Sequence, residues 1–256
     1  MSLSYIDKLT NSYSEKIKSF LSAVESIKAE NLPEPFLPVI GENYGVNLKK
    51  ILFYGWETRN AENLTKWIGA VKESNTNAFT WFQEEFEELA FVKWRSNFNS
   101  DFWSFNLRFL GKFYDLPDWR ELYRNPNDFY EILSSFAWAN AHSIERYEVT
   151  AKTNKASEVS WNTLKEASLI FDDTKLILGA LDPDLVIFQH WDAPEDWLLK
   201  GLEVTQAAKP LEFLWYYKVD NPHTYLFWIP HPRGYNRRGL SPQILIDAII
   251  SIYLNQ

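Results

Sequence analysis

The sequence predicts an α/β protein, a three-layer α/β/α arrangement around a central, mostly parallel four-stranded sheet. Three observations carry this expectation. Short, continuously apolar runs such as Ile51-Leu52-Phe53-Tyr54 and Leu185-Val186-Ile187-Phe188 have the pattern of strands buried on both faces. Segments with apolar residues three and four apart lie between such runs, and that is the period of a helix packed on one side. Polar residues gather just past the runs, where ligands sit in open parallel sheets.

Taken in order, Leu9, Tyr13, Ile17, Phe20, Leu21, Val24 and Ile27 mark one face of a helix that runs to about Glu30. Pro33, Pro35 and Pro38 then force an extended stretch. Residues 1–45 are therefore expected to form a helical arm packed on a single domain that spans 1–256. Gly55 stops the first strand, and aromatic helices are expected near 78–94 and 102–113. Phe136-Ala137-Trp138-Ala139 is the second strand, ending at Asn140, and 150–160 reads as a polar loop. A helical pattern over 164–181 turns at Asp182-Pro183-Asp184 into the third strand. Residues 213–219 and 225–229 form further strands around a turn at Asp220-Asn221-Pro222. Ser241-Pro242 opens the last helix, with serine as cap and proline in the first turn.

Composition removes several classes of function. With no cysteine, a disulfide scaffold, a thiolate zinc site, an iron–sulfur cluster and a cysteine nucleophile are excluded. Four widely spaced histidines give no metal-ligand spacing, so neither metal nor cofactor is expected. The net charge of −8 excludes a globally basic nucleic-acid binder but leaves room for a local basic patch. No apolar run reaches membrane-spanning length, and Met1-Ser2-Leu3-Ser4 lacks the pattern of a secretion signal. A soluble, cytoplasmic, monomeric protein is expected. The unusual figure is the 17% aromatic share, with 12 Trp, 13 Tyr and 18 Phe. Such rings fill cores, and they are also surfaces on which bases and sugars stack.

Candidate chemistry sits at the strand ends. Glu57, two residues past Gly55, is a carboxylate placed to activate water or face a developing cation, although taken alone it reads rather as a solvated loop residue. His231 lies between two prolines that stiffen its backbone, so its imidazole is held in one direction and suits stabilisation of negative charge; it reads equally as a loop histidine satisfied by backbone groups. Asn140 offers an amide donor and acceptor to a base edge, or else caps its strand. Arg233, Arg237 and Arg238 form a basic cluster before the last helix, suited to phosphate or to plain solvation.

The order of these strand-end motifs resembles the uracil-DNA glycosylase superfamily from about Asn47 to Leu254. Ile51-Leu52-Phe53-Tyr54-Gly55-Trp56-Glu57-Thr58 occupies the slot of the first family motif. Asp101-Phe102-Trp103 is similar to the helix-opening Asn-Arg-Phe-Trp of the mismatch-specific branch, and Trp138-Ala139-Asn140 to the strand whose asparagine reads the base. Pro230-His231-Pro232-Arg233-Gly234 is similar to the His-Pro-Ser motif and its wedge loop. The resemblance implies a uracil-DNA-glycosylase-like fold and a DNA glycosylase that hydrolyses the N-glycosidic bond of a flipped base. It puts Phe102 or Trp103 in the stacking role, Asn140 in base readout, His231 at the departing base and Glu57 at the water. Trp56 then stands beside the pocket, and Tyr235 serves as an intercalating ring near a DNA backbone held by Arg233, Arg237 and Arg238. The chain departs from the family with Glu57 for Asp or Asn, Thr58 for proline, and Arg233-Gly234 for Ser-Pro. The alternatives are a non-catalytic relative that binds nucleic acid, a nucleotide or a protein, and an unrelated hydrolase or carbohydrate-binding protein.

Overall fold

A computed structural model of the chain describes residues 2–25, 34–55, 64–73, 100–141, 162, 166, 173–190, 194 and 196–255. The strands are β1 (Val39–Ile40), β2 (Ile51–Gly55), β3 (Phe136–Asn140), β4 (Leu185–His190), β5 (Val204–Leu211), β6 (Leu214–Asp220) and β7 (His223–Pro230). The helices used below are α1 (Ser2–Val24), α2 (Leu64–Glu73), α3 (Asp101–Phe113), α4 (Glu121–Arg124), α5 (Tyr130–Leu133), α6 (Thr174–Leu181), α7 (Asp196–Leu199), α8 (Tyr235–Arg238) and α9 (Pro242–Leu254).

The strands form one sheet in the order β1-β3-β2-β4-β7-β6-β5. Neighbours in the central run β3-β2-β4-β7 are parallel, while β1 pairs antiparallel with β3 and the β7-β6-β5 meander is antiparallel. The sheet thus has seven strands, where the sequence predicts a four-stranded centre; β6 answers to the strand expected at 213–219, and β1 and β5 are additions. The additions have physical causes that composition hides. β1 is a two-residue continuation of the proline-held stretch. β5 exposes all eight of its side chains, so backbone pairing with β6 defines it and no apolar alternation announces it. Its Lys209 and Pro210 suit an edge that should not pair further.

Both faces of the central strands are covered, which is why their sequences are continuously apolar. Leu52, Tyr54, Val186, Phe188, Leu226 and Trp228 share a core with residues of α1, α2 and α6. Ile51, Phe53, Leu185, Ile187, Phe227 and Ile229 share another with α3, α4 and α9. Alternation along each strand therefore builds two cores and three layers. The N-terminal helix is integral to the first core, because Leu9, Tyr13, Ile17, Phe20 and Val24 are all buried.

Local signals set the helix ends. The Ser100 hydroxyl caps α3 by accepting the Trp103 N–H at 3.3 Å, and Asp173 caps α6 by accepting the Leu176 N–H at 3.0 Å. Pro242 begins α9 as the sequence predicts, but the Ser241 hydroxyl makes no cap bond. The helix expected near 78–94 lies outside the described residues, as does most of 164–173; Asn162 and Glu166 are helical.

Candidate functional site

Strand register places Asn140 and the β7 exit that leads to His231 along one edge. Gly55 on β2 is level with Asn140 on β3. Tyr54 is level with Phe188, so Gly55 is also level with Gln189 on β4, which is level with Ile229 on β7. Asn140, Gly55, Gln189 and Ile229 thus form a row across the carboxyl ends of the four parallel strands. Side chains two apart share a face, and Ile187, Phe53 and Ile229 lie in the α3 core. Gln189, Gly55 and Asn140 therefore turn toward α3.

At the β2–β3 side of the row the packing is close. The Trp138 indole N–H donates to Asn140 Oδ1 at 3.1 Å. A Cβ placed on Gly55 would lie 2.5 Å from that oxygen and 3.4 Å from Phe102 Cε2. Only glycine lets the amide and the ring come this near the backbone. The Trp138 ring is enclosed by Phe36, Trp103 and Phe102, at centroid distances of 4.5, 5.1 and 5.9 Å. Trp103 is buried against Phe136 and Trp138, whereas Phe102 is half-buried, so of the two aromatics named for stacking Phe102 is the more exposed. Asn140 is itself only 4% exposed.

One helical turn past Phe102, Asn106 accepts a hydrogen bond from Gln189 Nε2 at 2.5 Å. Both side chains are fully buried. Neither residue is among the candidates read from the sequence. The signal was present: Asn106 is four residues after Phe102 and three before Phe109, an uncharged polar residue on the apolar stripe of an amphipathic helix.

His231 is the first residue past β7, three strand spacings of about 4.8 Å from the Asn140 strand. Its backbone N–H donates to the His190 carbonyl at 2.6 Å, tying the β7 exit to the end of β4. Its Nδ1 accepts the Arg233 N–H at 3.3 Å, capping the 3-10 turn Pro232–Gly234. A neutral imidazole that accepts at Nδ1 carries its proton on Nε2, which makes Nε2–H a donor. His190 points to the opposite face, where it is buried with its ring 5.0 Å from Trp228.

Tyr235 is placed differently from the expectation. It is 3% exposed, with its ring 6.0 Å from Phe105, and burial pushes its hydroxyl well above the usual tyrosine range. The ring belongs to the core and is not offered to a duplex as a wedge. Arg233, Arg237 and Arg238 are exposed beside it, and the Arg238 guanidinium lies 5.8 Å over the Phe213 ring. Trp56 and Glu57 lie outside the described residues. Among the described residues no group of three or more His, Asp or Glu is placed to hold a metal ion, and no helix is long and apolar enough to cross a membrane.

Compared with protein-family models, curated proteins and solved structures, the chain matches none.

Proposed function

We propose that the chain is a divergent DNA glycosylase of the uracil-DNA glycosylase type, acting in the cytoplasm as a monomer on a flipped uracil-like or damaged base. The observation that carries this reading is the His231 ring at the carboxyl edge, whose Nδ1 accepts the Arg233 N–H; in the neutral ring the proton then sits on Nε2 as a donor. Departure of a base leaves negative charge on the heterocycle, and a fixed donor is what stabilises such charge. In this reading the base lies against the Phe102 face, Asn140 meets its edge, and Glu57 orients the water that attacks the deoxyribose. Exposed Arg233, Arg237 and Arg238 hold the DNA backbone.

Excision from single-stranded and duplex oligonucleotides carrying uracil, hypoxanthine or mismatches tests the proposal. The expected result is strand cleavage after alkali that falls roughly 100-fold or more in His231→Ala and in Glu57→Ala. Activity that survives both substitutions overturns the residue roles. A second reading, binding without turnover, is favoured by one observation: Asn140 Oδ1 already accepts from the Trp138 indole. Salt-dependent DNA binding with no released base supports that reading over the enzyme.

A further inference from the structure

We propose that Asn106 and Gln189 form a second hydrogen-bonding wall of this site, one that selects heterocycles carrying a lactam or imide edge, a ring N–H beside a ring C=O. The inference rests on the base-binding reading above and adds the feature by which one base is chosen over another. Two primary amides brought together can close a cyclic pair with two reciprocal bonds. Here one bond forms, from Gln189 Nε2 to Asn106 Oδ1. Asn106 Nδ2 and Gln189 Oε1 are buried and have no hydrogen-bond partner among the described residues. An unmet buried donor or acceptor carries its full desolvation penalty. Two leucines would fill the same space without it, so stability does not account for the pair.

The two unmet atoms are one donor and one acceptor on neighbouring amides. Exchanging both amide ends leaves the same complement, a spare N–H and a spare C=O. That complement matches a cis-amide edge, the ring N–H donating to one side chain and the ring C=O accepting from the other. Location agrees with this chemistry. Gln189 is level with Gly55 and on its face, one strand spacing of about 4.8 Å away. Asn140 flanks Gly55 on the other side. Asn106 lies one turn along α3 from Phe102, which packs over Gly55. On this side of α3, Asn106, Phe109 and Leu110 are buried and Phe102, one turn nearer the helix start, is half-buried.

The test is fluorescence anisotropy with single-stranded oligonucleotides that differ at one central nucleotide: deoxyinosine, deoxynebularine (the same purine without the ring N–H and C=O), or an abasic tetrahydrofuran. The wild-type chain should bind deoxyinosine roughly ten- to hundredfold more tightly than deoxynebularine. In the Asn106→Leu, Gln189→Leu double variant that ratio should fall to near one, with abasic affinity retained. Should the double leucine variant fail to fold, Asn106→Gln with Gln189→Asn keeps both amides but displaces them, and the same loss of ratio is expected. An unchanged ratio in whichever of the two variants folds overturns the inference while leaving the base-binding reading intact. A wild-type chain that binds no base-bearing oligonucleotide better than the abasic one overturns both.

Discussion

Gly55→Ala is the sharpest probe of the carboxyl edge, because the added methyl meets named atoms. Its carbon would lie 2.5 Å from Asn140 Oδ1, against 3.4 Å from Phe102 Cε2 and 3.4 Å from Trp138 Nε1. The two longer contacts are ordinary. The first requires the amide to retreat by roughly 1 Å to reach van der Waals separation. Retreat breaks the 3.1 Å bond from the Trp138 indole. Leaving a largely covered N–H unmet costs about 1–3 kcal/mol. Alanine recovers about 0.5–1 kcal/mol over glycine through backbone entropy. The net expectation is a destabilisation of about 1–2 kcal/mol, read as a lower urea midpoint at unchanged slope. The Trp138 indole N–H resonance should move at the same time. Repeating the substitution in an Asn140→Ala background removes the clash, so there Gly55→Ala should be neutral or slightly stabilising. Equal cost in both backgrounds, or no cost in the wild-type chain, refutes this picture of the packing.

Further expectations concern the rest of the molecule. Phe20 is fully buried in the core that α1 shares with α6, so Phe20→Ala should cost about 3–5 kcal/mol in urea unfolding; a loss under 1 kcal/mol would mean α1 is not part of that core. Burial pushes the Tyr114 hydroxyl from 10.0 up to about 12, and it raises Tyr44 and Tyr235 well above 10.0 as well. A folded-state pKa above the unfolded one means stabilisation that is complete below the unfolded value and is lost as pH climbs from 10.0 toward 12. Tyrosinate absorbance should therefore rise in at least two phases, the later one coinciding with unfolding; a single phase across all 13 tyrosines would contradict it. If Arg233, Arg237 and Arg238 each neutralise one phosphate, replacing all three with alanine should flatten the log–log salt dependence of DNA binding by about 2–3 units. An unchanged slope would place the DNA elsewhere.

The legible parts of the fold were those written in local pattern. Ile51-Leu52-Phe53-Tyr54 and Leu185-Val186-Ile187-Phe188 declare strands covered on both sides, and α3 follows from its aromatic stripe. β5 was illegible because none of its eight side chains is buried, and a strand made by backbone pairing alone leaves no periodicity. Of the site, the sequence located Asn140 and His231 at strand ends, and register places both on the carboxyl edge. It could not show that Asn140 Oδ1 is already held by Trp138, since that contact depends on a glycine in another strand. Tyr235 illustrates the same limit. Beside three arginines its ring looks solvent-facing, and only the packing of Phe105 from α3 draws it inside. Asn106 was overlooked because a polar residue on an apolar stripe acquires meaning only when its partner, Gln189, is known.

Hydrogen–deuterium exchange with and without a uracil-containing oligonucleotide tests most directly whether a base sits at this edge. Slowed exchange is expected in residues 53–55, 100–106, 138–141 and 229–234, which come together only across the carboxyl ends of the parallel strands. Slowing confined to the opposite edge, around Lys50, Asp184 and His223, or no slowing in those four stretches, would contradict it.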